Sequence, residues 1–129
     1  MIANRDSRVE DRQNVKVITN PASGKPIVVP YDFDNSGIVD AAYTKLKGDD
    51  KPTYFRRREF KALCREEAEF QETFDRFRAI QPQLFDLYQS SPYLSSAAKK
   101  ETLKYYKNFY KTIKKKKAMQ QVFLGSCDH

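Results

Sequence analysis

Two short apolar runs near the N-terminus, Val15-Lys16-Val17-Ile18-Thr19 and Ile27-Val28-Val29, are rich in β-branched residues and flank Asn20-Pro21-Ala22-Ser23-Gly24-Lys25. β-Branched side chains suit a pleated strand, while Asn, Pro, Ser and Gly supply turn conformations, so this segment predicts a β-hairpin. Pro26 and Pro30 bound the second run. Neither can donate to a ladder, which places them at strand ends or on an edge. If Asn20 pairs with Pro26, Asn14 lies opposite Asp32 and their side chains share a face, with Asp34 on the same side two residues on. A two-stranded ribbon can bury only one face, so apolar surface is expected to stay uncovered around Val15, Val17, Ile27 and Val29. Residues 31–53 show turn chemistry and no further strand pattern.

From Phe55 onward the period becomes helical. Phe60, Leu63, Phe70, Phe74 and Phe77 recur at helical steps. Pro82 is expected to interrupt or restart that helix, because it lacks an N–H and its ring crowds the preceding turn. Leu84, Leu87 and Tyr88 make one face of a short helix after it, and Ser90-Ser91-Pro92 reads as a break. Ser95 or Ser96 can cap a final helix, whose apolar stripe is Leu103, Tyr106, Tyr110 and Ile113, widened by Tyr105 and Phe109. These elements predict an α+β chain, with an N-terminal β-hairpin packed on a mostly helical C-terminal part. Residues 1–53 and 54–129 form two segments of a single domain.

The chain has 129 residues, 40% hydrophobic and 32% charged, which suits one globular domain and is too apolar for a disordered chain. No apolar run approaches the roughly 18 residues of a membrane span, so no transmembrane segment is expected. The opening MIANRDSRVEDR lacks an apolar core, so no signal peptide is expected on it. The net charge of +7 is uneven: residues 98–129 hold nine lysines against Glu101 and Asp128, whereas the rest of the chain is balanced. The basicity therefore belongs to one lysine-rich helix. Lys114–Lys117 is either a solvated helix end, where cations suit the dipole, or a surface for nucleic acid. Arg56-Arg57-Arg58 reads either as a solvated helix start or as a phosphate-binding group. Cys64 and Cys127 stand far apart without a C-x-x-C neighbour. Neither a disulfide framework nor a zinc site is expected, and Cys64 reads as a buried free thiol. His129 is alone, which leaves no histidine chemistry.

The remaining candidates are oxygen ligands. Asn14, Asp32 and Asp34 offer an amide and two carboxylates, a set that suits a hard cation such as Mg²⁺. Asp6 stands eight residues before Asn14. Protein kinases use the same order, a catalytic Asp, then an Asn on metal, then an Asp on metal.

The stretch MIANRDSRVEDRQNVKVI…VVPYDFDNSGIVDAAY resembles a bacterial family common in the Bacteroidota, whose members carry MIGNTDWS…HNVKLI…VPYDFDYSGLVNAxYA. Arg57-Arg58-Glu59-Phe60 with Cys64 resembles that family's RERxYRGxC block, and Leu103–Tyr110 resembles its YLDxFY ending. The family in turn resembles atypical kinase-like proteins of the spore-coat kinase and kinase-toxin types. The resemblance implies the C-lobe of a kinase-like fold and metal-dependent phosphoryl transfer from ATP in an intact parent, with Mg²⁺ and ATP as cofactors. It implies Asp6 as catalytic base, Asn14 and Asp32 as ligands for metal and nucleotide, Asp34 as a further metal ligand, and Asn4 as a support of the catalytic loop. This sequence departs from the pattern at Ala3 for Gly, Ser7 for Trp and Gln13 for His. The resemblance also implies a nucleotide-binding lobe upstream, so the chain reads as a C-terminal part whose partner is that lobe or chain, with little activity alone. The alternative reading is a small basic helical binding module for nucleic acid or a protein partner.

Overall fold

A computed structural model describes residues 1–4, 6–8, 11–43, 56–58, 60 and 64–125. Strands β1 (Val15–Thr19) and β2 (Pro26–Pro30) precede helices α1 (Glu67–Ser90), α2 (Ser96–Lys114) and α3 (Lys116–Met119), and α3 runs into a π-helical turn, Gln120–Leu124. The class is α+β, as the hydrophobic pattern predicts. The chain divides into two compact units, Ile2–Arg58 and Glu59–His129 with Met1.

In the first unit β1 and β2 pair antiparallel, Val15 with Pro30 through Thr19 with Pro26. The register is one residue away from the expected Asn20–Pro26 pairing. The turn explains the difference. Pro26 has no N–H, and the closing bond is instead Asn20 N–H to Lys25 O at 2.9 Å. The Asn20 side-chain oxygen accepts from Ala22 N–H at 2.9 Å, which folds the loop onto itself. Gly24 takes a left-handed φ of 67°, a conformation that glycine adopts without steric cost. Continuing the ladder places Asn14 opposite Tyr31, whose N–H donates to the Asn14 carbonyl at 2.9 Å. Both strands leave apolar side chains in solvent: Val17, Ile18, Ile27, Val28 and Val29 are exposed. Val15, expected among the exposed positions, is buried at 4% exposure.

In the second unit the helix begins at Glu67 rather than at Phe55, which lies outside the described residues. Arg56–Arg58 and Phe60 are not helical. Glu69 accepts from the Glu66 N–H at 3.1 Å, and Glu67 and Glu69 place negative charge in the first turn, where the helix dipole favours it. The expected break at Pro82 is absent, and α1 runs through it to Ser90. The halves on either side of Pro82 both dock on α2, so packing outweighs the local penalty. Phe77 meets Phe109 with ring centroids 5.1 Å apart before the proline, and Phe85 meets Tyr110 at 5.7 Å after it. Tyr88 and Tyr106 share a hydroxyl contact of 3.1 Å, and the Tyr110 hydroxyl donates to the Phe77 carbonyl at 2.9 Å. Ser95 caps α2 by accepting from Ala98 N–H at 3.2 Å. The buried face of α2 is Tyr105, Tyr106, Phe109, Tyr110 and Ile113. The π-helical turn brings Phe123 against Phe74 at 4.9 Å and Phe60 at 5.3 Å, which seals an aromatic cluster around the nearly inaccessible Phe74. Cys64 is disulfide-bonded, which corrects the reading of a free thiol. The chain's other cysteine, Cys127, lies outside the described residues.

Candidate metal and catalytic site

Two loops of the first unit build the site. The segment around Asp6 is tied to the segment after β2 by backbone bonds, Gly37 N–H to Ala3 O at 3.0 Å and Ile38 N–H to Ile2 O at 3.2 Å, and Asn4 pairs with Ser36 across them. Ser36 is 2% exposed, and among the described residues its hydroxyl has no hydrogen-bond partner. Asn4 then shapes the Asp6 loop. Its side-chain oxygen accepts from Asp6 N–H at 3.1 Å, and its nitrogen donates to the Ser7 hydroxyl at 2.6 Å.

Three amides converge on the Asp6 carboxylate. Asn14 and Asn35 each donate to Oδ2 at 3.1 Å, and Gln13 donates to Oδ1. Gln13 also accepts from Arg8, and Arg8 pairs with Asp11 at 2.9 Å. Asp6 is thus held in one orientation, and Asn14 keeps its amide oxygen free of that bond. Asp34 accepts from the Tyr43 hydroxyl and, at 2.8 and 3.2 Å, from the backbone and side chain of Asn35.

The interaction of the neighbouring Asp32 and Asp34 carboxyls, with burial and the charge of Asp6 adding to it, holds the Asp32 carboxyl above the ordinary aspartate value of 3.8. The Tyr43 hydroxyl bond holds Asp34 below it, and the same bond raises the Tyr43 hydroxyl. Asp32 therefore gives up its proton at a higher pH than Asp34 does.

The register slip does not scatter the residues, because neither Asn14 nor Asp32 lies in a strand. Both adopt left-handed backbone, φ 51° and 57°, at the ends where β1 and β2 meet their loops. That conformation is uncommon for non-glycine residues and tolerated best by Asn and Asp. It re-aims the two side chains independently of strand alternation, Asn14 onto Asp6 and Asp32 to within reach of the charge of Asp6. The structure therefore brings Asp6, Asn14, Asp32 and Asp34 into one neighbourhood, by a route other than cross-strand pairing. Gln13, Asn35 and Tyr43 complete it, and no motif marks them as site residues. Their signal is adjacency, since Gln13 precedes Asn14 and Asn35 follows Asp34.

The donor set is hard oxygen throughout. Among the described residues no three His, Cys, Asp or Glu side chains are disposed to hold a metal ion. A cation here would take two carboxylates and an amide, with water or phosphate completing its shell, which is the manner of Mg²⁺ and not of a closed protein cage. Arg56 pairs instead with Asp40, at 3.4 Å. Comparison with protein families, curated proteins and solved structures finds no match to this chain.

Proposed function

We propose that the first unit supplies the metal-binding and base half of a phosphotransferase site, with ATP as phosphoryl donor. The observation that carries the reading is the Asp6–Asn14 bond beside the neighbouring carboxyls of Asp32 and Asp34. Two neighbouring carboxylates repel each other when both are ionised, and a divalent cation relieves that repulsion. Asp32, Asp34 and the amide oxygen of Asn14 would hold Mg²⁺, and the ion when bound would neutralise charge on the transferring phosphates. Asp6 accepts the proton of the attacking hydroxyl, and the amides of Gln13, Asn14 and Asn35 fix the carboxylate for that task. Asn4 positions the loop that carries it. The reading requires the phosphate cradle and its lysine to come from outside these residues, on a nucleotide-binding lobe.

Calorimetric titration of the 129-residue chain with Mn²⁺ or Mg²⁺ tests the metal half without any need for turnover. One saturable site is expected, lost in Asp32→Asn and Asp34→Asn and retained in Asp6→Ala. Absence of saturable binding, or binding that survives both Asp→Asn changes, refutes the reading.

A further inference from the structure

The lysines of α2 are ordered as well as numerous. Lys100, Lys104, Lys107, Lys111 and Lys114 follow each other at steps of four, three, four and three residues. At 3.6 residues per turn that spacing confines them to an arc of roughly 80°, along about 21 Å of helix axis. All five are exposed. Among the described residues none of the five is in an ion pair. Glu101, the one carboxylate of α2, lies at the edge of this stripe, three residues before Lys104, and among the described residues forms no ion pair with it. A solvated helix ordinarily mixes both signs and gains from i,i+4 pairs, as α1 does with Arg76 and Glu72 at 2.5 Å. The stripe on α2 gives up that stabilisation and sets five like charges side by side.

The stripe also borders a concavity. A groove of about 550 Å³ between α1 and α2 is lined by Arg78, Gln81, Lys107, Tyr110, Lys111 and Lys114. Its walls are fixed. Arg78 donates to the Ile113 carbonyl at 2.9 Å, and Tyr110 is anchored to Phe77, so the cations stand on a preformed rim.

We infer that this face binds the phosphodiester backbone of a nucleic acid, without base preference. A linear, evenly spaced row of flexible ammonium groups matches a linear polyanion, and point charges on lysine carry no base information. A membrane surface fits less well, because an interfacial helix must offer an apolar face to the lipid, and the apolar face of α2 is buried within its own unit. A protein partner fits less well too, because the stripe has no aromatic or aliphatic anchor for a buried centre. This inference stands independently of the phosphotransferase reading, and its residues are separate from that site.

Fluorescence anisotropy with a fluorescein-labelled 20-base-pair duplex and with its single strand tests it. If all five lysines contact phosphates, log K falls against log salt with a slope of about −4.5 for duplex and −3.5 for single strand. Between 50 and 200 mM salt that is a loss of roughly 500-fold and 100-fold respectively. The double variant Lys107→Gln, Lys111→Gln should reduce the duplex slope to about −2.7, because each lost phosphate contact removes about 0.9. Gln keeps helix propensity close to that of Lys, so the far-UV spectrum of the variant should match the parent. Lys25→Gln, in the hairpin loop, is the control and should leave the slope unchanged. No binding to either oligonucleotide at 50 mM salt overturns the inference, as does binding that the double variant leaves intact. Capture by phosphatidylserine vesicles with none by oligonucleotides overturns it in favour of a membrane surface.

Discussion

Replacing Pro82 should make the protein more stable. The residue lies inside α1, roughly two turns before its end, and its side chain is exposed. A proline there removes the N–H that would bond the Arg78 carbonyl, and its ring crowds that carbonyl. The intrinsic penalty against Ala in a helix interior is about 3 kcal/mol. That is an upper bound here, because a restricted proline also limits the unfolded chain, an opposing effect of about 0.4–1 kcal/mol. Exposure of the ring means that little packing is lost on truncation. Pro82→Ala should therefore add about 1–2.5 kcal/mol, which at about 4 °C per kcal/mol for a chain of this size raises Tm by about 4–10 °C. Pro82→Gly restores the N–H but carries glycine's own penalty of about 1 kcal/mol, so it should fall between the two. Urea unfolding followed by far-UV circular dichroism, together with thermal melts, measures all three proteins. An unchanged or lower Tm in Pro82→Ala refutes the reasoning. It would mean that the proline sets the path by which Phe85 and Tyr88 reach Tyr110 and Tyr106, and that this docking outweighs helix propensity.

Three further outcomes follow from the same structure. A cation must displace the proton that Asp32 holds above the ordinary value of 3.8, so Mn²⁺ affinity should decline by about tenfold per pH unit once the pH falls below the raised Asp32 pKa, while Asp34 stays ionised; affinity that is flat down to about pH 4, near the ordinary aspartate value, would contradict the pairing. Reduction of the Cys64 disulfide should lower unfolding free energy by about 2–4 kcal/mol; an unshifted melt in reductant would count against a structural bond. The purified chain should show no appreciable ATP turnover, because phosphoryl transfer needs a cradle for the β- and γ-phosphates; robust turnover abolished by Asp6→Ala would show that the cradle lies within these residues.

The hairpin could be read from two β-branched runs and a turn, because local propensity and tertiary structure agree there. Its register could not. The closing pair depends on the Asn20 loop and the left-handed Gly24, and a change of one residue in loop length moves every partner. Helix α2 was readable from its apolar stripe and from a serine cap, Ser95 or Ser96, of which Ser95 makes the bond. Helix α1 was not, because the local cost of Pro82 is outweighed by aromatic contacts with residues of α2 more than twenty positions on. Residues Asp6, Asn14, Asp32 and Asp34 were visible as a set, while the reason they meet was not. Left-handed backbone at Asn14 and Asp32 leaves no periodic trace in a sequence, and neither do the amides of Gln13 and Asn35 that secure Asp6.

One residue of the Asp6 loop bears on how such a sequence can drift. Ala3 has a φ of 53°, and its carbonyl receives Gly37. An alanine there holds the left-handed region at a cost of about 1–2 kcal/mol, sustained only while the surrounding bonds over-determine the loop. A lineage carrying Ala3 therefore keeps a smaller margin for other changes in the same loop. A second change in the same loop costs the fold more beside alanine than it would beside glycine. The order in which such changes are acquired then matters as much as their identity, and placing glycine at position 3 would widen the set of neighbouring sequences that still fold around Asp6.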